Sequence, residues 1–286
     1  MIKLSAIFLS NTINESIFEM TKNCIQTMID SEKGNPNLLF ELILIESNCD
    51  YLEQGFVYNE AVRVITPNED FNFHRFLNFG IKKATGDYIA LCNNDLVFYK
   101  NWFSEILKIS NANPKIRSFS PYDKTSNKIP KTVIQSRSYC EGYEIQKQLT
   151  GWCLVVEAKA LELIGELDER FNFYYADNDY AMTLRKYNVS HALVCKSKVL
   201  HLGGKVSKAI SNTKSSGANN SIIMKDIPKY VITGNMYWIL DDEKMVDGVI
   251  RFHKKWGHRK AIKLKLLVTA FLIKYNLGYL NRYILN

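Results

Sequence analysis

Residues 78–95 read NFGIKKATGDYIALCNND, and this stretch decides the predicted fold. Its first half continues a helical spacing that comprises Phe73, Phe76, Leu77, Gly80, Ile81 and Ala84, and Gly86-Asp87 then supplies a turn. The apolar run from Tyr88 to Cys92 predicts a short strand that is buried on both faces of a sheet. Three polar residues, Asn93-Asn94-Asp95, follow at the point where this strand ends.

The same alternation extends in both directions from this stretch. Further strands are predicted at 4–9, 38–45, 62–65 and 149–156, and helices at 16–29, 73–84, 159–164 and 177–186. Strands that alternate with helices predict an α/β fold, with a doubly wound, mainly parallel sheet flanked by helices. We expect this domain to span residues 1–227. A helical, basic C-terminal extension is predicted for 228–286.

Two polar segments predict loops. Residues 124–131 are expected at the surface, and residues 211–220 (SNTKSSGANN) are of the kind that orders over a bound ligand. In the C-terminal extension, Trp256-Gly257 is a plausible helix end, and the last helix is expected from Arg259 to Tyr275.

Composition excludes several classes of protein. Hydrophobic residues make up 47% of the chain and charged residues 23%, which excludes global disorder. No run of about 18 apolar residues could form a membrane-spanning helix. The apolar start, MIKLSAIFLS, is expected to be the first strand rather than a signal segment. The six cysteines lack paired short spacings, so free thiols in the cytoplasm are expected.

The positive charge is concentrated at the C-terminal end. The net charge is +8, and residues 251–286 contain nine Lys and Arg residues and no Asp or Glu. The rest of the chain is therefore close to neutral. A basic helix with an apolar face in 259–286 fits peripheral contact with an anionic membrane at its inner face, although a helix that packs on the domain would look similar. No nucleic-acid-binding motif accompanies the charge, so nucleic acid is not expected as a partner.

Polar residues follow three of the predicted strands. These are Ser10-Asn11, Glu46 and Asn93-Asn94-Asp95. Ligands of open parallel sheets bind beyond the carboxyl ends of the strands, so these residues are candidates for a binding site. No GxGxxG follows the first strand, which excludes the usual dinucleotide site. The oxygens of Asn94 and Asp95 suit Mn²⁺ or Mg²⁺ held together with substrate phosphates, but Asn and Asp also cluster in ordinary turns.

Longer segments resemble inverting glycosyltransferase family 2, which has the GT-A fold. LCNND at 91–95 resembles the Asn-Asn-Asp form of the family's DxD motif. The acceptor-side signature is similar to TGWCLVVEAKALELIGELDERFNFYYADNDYAMTLRK at 150–186. HLGGKVS at 201–207 and FHKKWG at 252–257 follow it. The resemblance implies a transferase that moves a sugar from a nucleotide-diphosphate donor, most commonly UDP-linked, to a hydroxyl of a glycan or a lipid-linked acceptor.

The resemblance also implies roles for single residues. Asp95 would bind Mn²⁺ or Mg²⁺ that bridges the donor diphosphate, and His201 would add a ligand. Asp177 aligns with the family's general base, although Ala176 stands where the family usually has Glu. Glu46 replaces an Asp that contacts the nucleoside. The donor site is expected to comprise five residues: Ser10, Asn11, Glu46, Asn78 and Asn94.

Two residues are assigned to the acceptor side. Trp152 is a candidate platform for stacking against a sugar, although a core tryptophan fits the sequence nearly as well. Asp179 is a second carboxylate near Asp177. Two positions apart on a helix, their side chains are expected to point about 200° apart, so one of them faces the reacting hydroxyl. Asp177 could instead cap its helix, and His201 could be a core histidine.

Two other functions compete with sugar transfer. A sugar nucleotidyltransferase also uses a metal and an α/β fold, but it should carry a Gly-rich phosphate loop after the first strand, where this chain has SNTINE at 10–15. A non-catalytic carbohydrate-binding protein is the second alternative, because Ala176 and the single carboxylate of the Asn93–Asp95 turn depart from the usual pattern.

Overall fold

A computed structural model describes residues 1–203 and 243–257, together with residues 268, 271, 275 and 277. The strands are β1 Ile2–Ser10, β2 Leu38–Glu46, β3 Val62–Ile65, β4 Tyr88–Asn93, β5 Leu96–Phe98, β6 Ile116–Asp123, β7 Tyr139–Glu141, β8 Cys153–Glu157 and β9 Ser190–His201. The helices are α1 Glu15–Ser31, α2 Phe73–Ile81, α3 Trp102–Ala112, α4 Lys131–Ser136, α5 Ala158–Ile164, α6 Ala176–Lys186 and α7 Glu243–Trp256.

The first half of the chain forms the parallel part of the sheet. The strand order β3-β2-β1-β4 is parallel throughout, with α1 and α2 as crossover connections. β1 and β4 are buried along nearly their whole length, which is why they read as continuous apolar runs. The register aligns Ser10 with Glu46 and Leu9 with Asn93, so the polar residues after these strands meet at one edge, as predicted.

The second half of the sheet is mixed, so the parallel order of the first half does not extend across the whole sheet. β8 is antiparallel to β4 and to β6, β9 is parallel to β6, and β5 and β7 pair antiparallel with β9. β8 runs opposite to β4, so it begins at the edge of the sheet where β4 ends. As a result, Trp152 lies beside Asn93, and the N–H of Asn93 donates to the carbonyl of Trp152 at 2.9 Å.

Helices cover both faces of the sheet, as expected for a doubly wound fold. One core cluster packs α1 and α3 against the sheet around Phe8, Met28 and Trp102. A second cluster packs α2, α5 and α6 on the opposite face around Ile7 and Tyr180. Within the sheet, the thiols of Cys92 and Cys153 lie opposite each other with sulfurs 3.8 Å apart. All six cysteines are free thiols.

The predicted elements of the first half match the structure to within a few residues. In the second half, α5, α6 and the helix end at Trp256 are also as predicted, and α4 begins at Lys131, at the end of the predicted surface loop. The ligand-ordering loop at 211–220 and the domain boundary at 227 lie outside the described residues. So does most of the predicted helix 259–275. Among the residues that the structure describes, no helix is long and apolar enough to cross a membrane.

The turn before β4 is closely packed at Gly86. A Cβ on Gly86 would lie 2.6 Å from the backbone nitrogen of Ser5 and 2.8 Å from the carbonyl oxygen of Lys3. Gly86→Ala should therefore lower the free energy of unfolding by about 1–3 kcal/mol, because backbone must move to admit the methyl group. Urea denaturation measures the change, with Lys83→Ala on the exposed surface as the control. Equal stability of Gly86→Ala and the wild type would contradict the packing described.

Candidate active site

A buried polar network lies at the carboxyl ends of β1 and β4. The amide of Asn94 donates to the hydroxyls of Ser10 at 3.2 Å and Thr21 at 2.9 Å. The hydroxyl of Ser10 also lies 3.0 Å from that of Thr12. These four side chains are almost fully buried. The network fixes the turn from Asn93 to Asp95 against the first turns of α1.

Asp95, His201 and Trp152 lie together above this network. The Nε2 atom of His201 lies 3.3 Å from Oδ1 of Asp95, and the indole of Trp152 stacks on the imidazole with ring centroids 5.5 Å apart. Strand pairing explains the meeting, since β5 pairs with β9 so that Leu96 faces His201. The N–H of Leu202 also donates to the carbonyl of Asp95 at 2.9 Å. The structure therefore brings together three residues that are far apart in the sequence.

The chemistry of these donors fits a divalent cation. Oδ1 of Asp95 is buried and makes no hydrogen bond to any described residue, an arrangement that is costly for a carboxylate oxygen unless a ligand satisfies it. An imidazole nitrogen stands beside it. The described residues contain no group of three or more His, Cys, Asp or Glu side chains placed to hold a metal. A cation here would therefore need oxygens from substrate or water, as is usual for Mg²⁺ with phosphates.

Asp177 lies on the other side of the Gly151-Trp152 pair. A Cβ on Gly151 would lie 2.9 Å from Cβ of Asp177, so only glycine lets α6 approach this closely. Asp177 and Gly151 also line one small cavity with Phe73, His74 and Leu91. Two consecutive residues, Gly151 and Trp152, thus contact Asp177 on one side and His201 on the other.

The surroundings of Asp177 change its acidity. Burial raises the pKa of Asp177, and the backbone N–H of Asn178, which donates to Oδ1 at 2.9 Å, opposes part of that rise. Among the described residues, no Lys or Arg pairs with Asp177 at salt-bridge distance. A partly desolvated carboxylate without a cationic partner accepts a proton more readily than an ordinary surface aspartate.

Comparison with known proteins identifies the family. The model of glycosyl transferase family 2 matches residues 12–159, which is about half of the chain and includes Glu46 and Asn93–Asp95. The chain belongs to glycosyl transferase family 2. No curated protein sequence matches the chain. The family match ends before Asp177 and His201, so their roles rest on the geometry and on the resemblance of the later segments.

A solved structure supports the fold of this chain. The structure of GalNAc-T7 with UDP, GalNAc and Mn²⁺ superposes with a TM-score of 0.54 at 13% sequence identity. The match covers 70% of this chain but only 44% of the GalNAc-T7 chain. At this identity the likeness shows the fold alone. The predicted α/β fold of GT-A type is confirmed.

Glu46 is completely buried, and its carboxylate is hydrogen-bonded by other residues of the protein. Its carboxylate accepts hydrogen bonds from the N–H and hydroxyl of Thr12 at 2.9 and 2.6 Å and from the N–H of Asn48 at 2.9 Å. The hydroxyl of Tyr58 lies 2.6 Å from that of Thr12. Through these hydrogen bonds, Glu46 holds the loop after β1 in place. Direct contact of Glu46 with the donor stays a prediction that its burial does not support.

Asn78 and Asn11 differ in how far their side chains are hydrogen-bonded by the protein. Asn78 is buried, and its amide bonds both backbone groups of Leu167 and the carboxylate of Glu169. These contacts account for Asn78 as a link between α2 and the segment before α6, and they leave neither of its N–H groups for a donor. Asn11 is half-buried, and its side chain makes no hydrogen bond to the described residues. Of the two, Asn11 is the better placed to contact a ligand.

Asp179 points away from Asp177, as the helical spacing predicts. It is almost fully buried, and it accepts hydrogen bonds from Nε1 of Trp256 at 2.8 Å and from Nζ of Lys255 at 2.9 Å. The predicted role of Asp179 in acceptor binding is not supported by these contacts, because both carboxylate oxygens are engaged by α7.

Sequence reasoning missed a buried chain of polar groups behind the site. The hydroxyl of Ser118 lies 3.0 Å from that of Tyr180 and 2.8 Å from Nδ1 of His191, and Nε2 of His191 lies 3.1 Å from the carbonyl of Gln148. Ser120, which lies 3.3 Å from the same imidazole, accepts the N–H of Thr150. This series of hydrogen-bonded groups therefore connects Tyr180 of α6 to Thr150, the residue before Gly151. A histidine in the apolar run of β9 was the available signal.

The buried histidine predicts a pH-dependent stability. Burial lowers the pKa of His191 to about 4 from the usual 6.5, although its bond to Gln148 opposes this. Between these values the unfolded chain binds a proton that the folded chain does not, so His191 makes stability fall as the pH falls from about 6.5 to 4. From pH 6.5 to 4.5, His191→Asn should lose about 2–3 kcal/mol less than the wild type in urea denaturation. Identical losses would contradict this account.

Proposed function

We propose that this transferase moves a sugar from a nucleotide-diphosphate donor, UDP-linked for preference, to a hydroxyl of a glycan or lipid-linked acceptor, with inversion at the anomeric carbon. One observation carries the proposal. The Gly151-Trp152 pair contacts the carboxylate of Asp177 on one side and the pair of His201 and Asp95 on the other. A candidate base and a candidate cation site thus flank the same short backbone segment.

Donor binding is proposed at the edge where β1 and β4 end. Asn11 would reach the nucleotide, while Ser10, Glu46 and Asn94 hold the surrounding backbone in place. Asp95 and His201 would hold Mn²⁺ or Mg²⁺, the former ion being present with UDP in the GalNAc-T7 structure. When bound, such a cation stabilises the negative charge that develops on the leaving diphosphate. The orphaned oxygen of Asp95 supports this assignment.

Asp177 is proposed as the general base. The acceptor hydroxyl forms a bond to the anomeric carbon while the bond from that carbon to the diphosphate breaks. The carboxylate of Asp177 takes the hydroxyl proton, and the bonding electrons leave with the diphosphate. The raised pKa of Asp177 makes the carboxylate a stronger proton acceptor near neutral pH. Trp152, which is half-buried and stacked on His201, is proposed to pack against a sugar ring.

Family membership weighs against the two rival functions. A sugar nucleotidyltransferase would need a Gly-rich phosphate loop after β1, and residues 10–15 lack one. A carbohydrate-binding protein without activity would not need a base beside a cation site. Contact of residues 259–286 with an anionic membrane remains a proposal from charge and pattern alone.

The cation assignment is tested at Asp95. In the wild type, Mn²⁺ should strengthen UDP binding. Asp95→Ala should weaken UDP binding in the presence of Mn²⁺ by roughly 10- to 100-fold, the usual scale for disturbing a metal site. Calorimetric titration of UDP with and without Mn²⁺ measures this, and Asp30→Ala, which removes an exposed carboxylate of α1, is the control. If Asp95→Ala keeps the full effect of Mn²⁺, Asp95 is not a ligand.

The base assignment is tested at Asp177. Asp177→Asn keeps the size of the side chain but removes its basicity, so turnover should fall by about 10²- to 10⁴-fold while UDP affinity stays near normal. Turnover is measured as release of the nucleoside diphosphate from a panel of sugar donors with Mn²⁺. The free energy of unfolding at pH 7 should not fall, because the substitution removes a buried charge.

Glu162→Gln on α5 is the matched control, since it neutralises an exposed carboxylate on a helix of the same face of the sheet. It should turn over at the wild-type rate. Turnover within a few-fold of wild type for Asp177→Asn would remove this residue from the mechanism.

A further inference from the structure

We infer that α7, Glu243–Trp256, positions the proposed base, and that Gly248, Lys255 and Trp256 are positioning residues for sugar transfer. The inference rests on the proposed role of Asp177. It gives Asp179 a different task from acceptor binding, which is to connect the helix that carries Asp177 to the C-terminal part of the chain.

α7 contacts residues that precede Asp177 in the sequence and a residue that follows it. Before it, Gly248 is so close to Tyr174 that an added Cβ would lie 2.7 Å from the Tyr174 carbonyl oxygen, and Phe252 packs on the ring of Tyr175 at 5.4 Å. After it, Lys255 and Trp256 bind the carboxylate of Asp179. The backbone that carries Asp177 is therefore held by one helix at both ends.

The backbone just before Asp177 needs such support. Tyr175, the residue that precedes α6, has a φ of 64° and a ψ of 8°, which is the left-handed region. A bulky side chain seldom adopts this conformation, which is unfavourable unless surrounding contacts stabilise it. Phe252 joins Phe171 and Ala176 in a small apolar cluster against which Tyr175 also packs. This packing holds Tyr175 in the conformation from which α6 starts.

An ion-pair network fixes the end of α7. Nζ of Lys255 lies 2.8 Å from a carboxylate oxygen of Asp179 and 2.8 Å from one of Asp168. Burial alone would raise the pKa of Asp168, but hydrogen bonds from Arg170 and Lys255 outweigh it and hold the pKa below the usual value. The carbonyl of Asp168 in turn bonds Nδ1 of His74 at 2.9 Å. His74 lines the cavity that also contains Asp177.

Burial makes the ion pairs of this network important for the positions of α6 and α7. Asp179 is buried, so loss of its cationic partner would leave an unpaired charge in the protein interior, a strongly unfavourable state. A change at Lys255 is therefore expected to shift α6 or α7. A displacement of about 1 Å at a catalytic group can lower turnover about 10²-fold.

Gly248→Ala is the sharpest test, because its two effects have opposite signs. Alanine stabilises an isolated helix relative to glycine, yet here its methyl group would push α7 away from Tyr174. We expect turnover of the sugar donors to fall by roughly 10- to 100-fold with UDP affinity in Mn²⁺ unchanged. Lys255→Met and Trp256→Phe should act in the same direction, and Lys255→Arg should restore most of the turnover.

Lys254→Met is the matched control. Lys254 is exposed on the same helix, so its substitution removes the same charge without touching Asp179. It should turn over like the wild type. Losses of turnover that are as large in Lys254→Met as in Lys255→Met would overturn the inference, as would wild-type turnover in Gly248→Ala.

A double-variant cycle separates positioning from general destabilisation. If α7 acts through Asp177, then adding Gly248→Ala to Asp177→Asn should cost little further turnover, because the base is already absent. Full additivity of the two losses would overturn the inference while leaving the base assignment intact. Wild-type turnover in Asp177→Asn alone would instead refute the proposed function, and the inference with it.

Discussion

The pairing of β4 with β8 is the constraint on which the rest of the structure depends. On one side of this pair the sheet is parallel and ends in the polar residues of β1, β2 and β4. On the other side it is mixed and brings β6 and β9 into the sheet. Because β8 runs antiparallel, its first residues lie where β4 ends, and the bond from Asn93 to Trp152 joins the two halves there. A parallel β8 would have placed Gly151 and Trp152 at the opposite edge, away from Asp95.

Around this junction most polar side chains satisfy one another. Glu46, Thr12 and Tyr58 form one network, and Asn94, Ser10 and Thr21 form another. Fully satisfied polar networks in a low dielectric are rigid, because each lost bond leaves a costly unpaired group. Oδ1 of Asp95 differs from these atoms, since it is buried without a hydrogen bond to the described residues. That contrast is the observation behind the proposal that Asp95 binds a ligand.

The sequence predicts the parallel half well for a simple reason. β1 and β4 are buried along nearly their whole length and β2 along its second half, so their apolar runs are unambiguous, and the residues that end them are polar. β5 and β7 have only three residues each, too few to show a period. The antiparallel direction of β8 could not be predicted, because strand direction depends on the path of the intervening 60 residues and not on local pattern.

The site was predictable to a similar degree. Asp95, His201 and Trp152 were recognisable as candidates, but their meeting depends on the pairing of β5 with β9. Glu46 ends a strand and Asn78 lies within α2. Both side chains are buried and hydrogen-bonded by the protein itself, so a polar residue in either place can serve the segment beside it. Helical geometry alone predicts that the side chain of Asp179 points away from that of Asp177. Its partners could not be named, because Lys255 and Trp256 are 76 and 77 residues away in the chain.

The order of strands in the sheet also has a consequence for synthesis on the ribosome. The unit β1 to β4 is complete once Asn93 has emerged, but its partner β8 begins only at Cys153. During that interval the apolar strand Tyr88–Asn93 is an unpaired sheet edge, which is the kind of surface that recruits strands from other chains. Slow translation of residues 94–152 would lengthen this exposure, so soluble yield should depend on elongation speed and on chaperones even though the finished protein buries the edge completely.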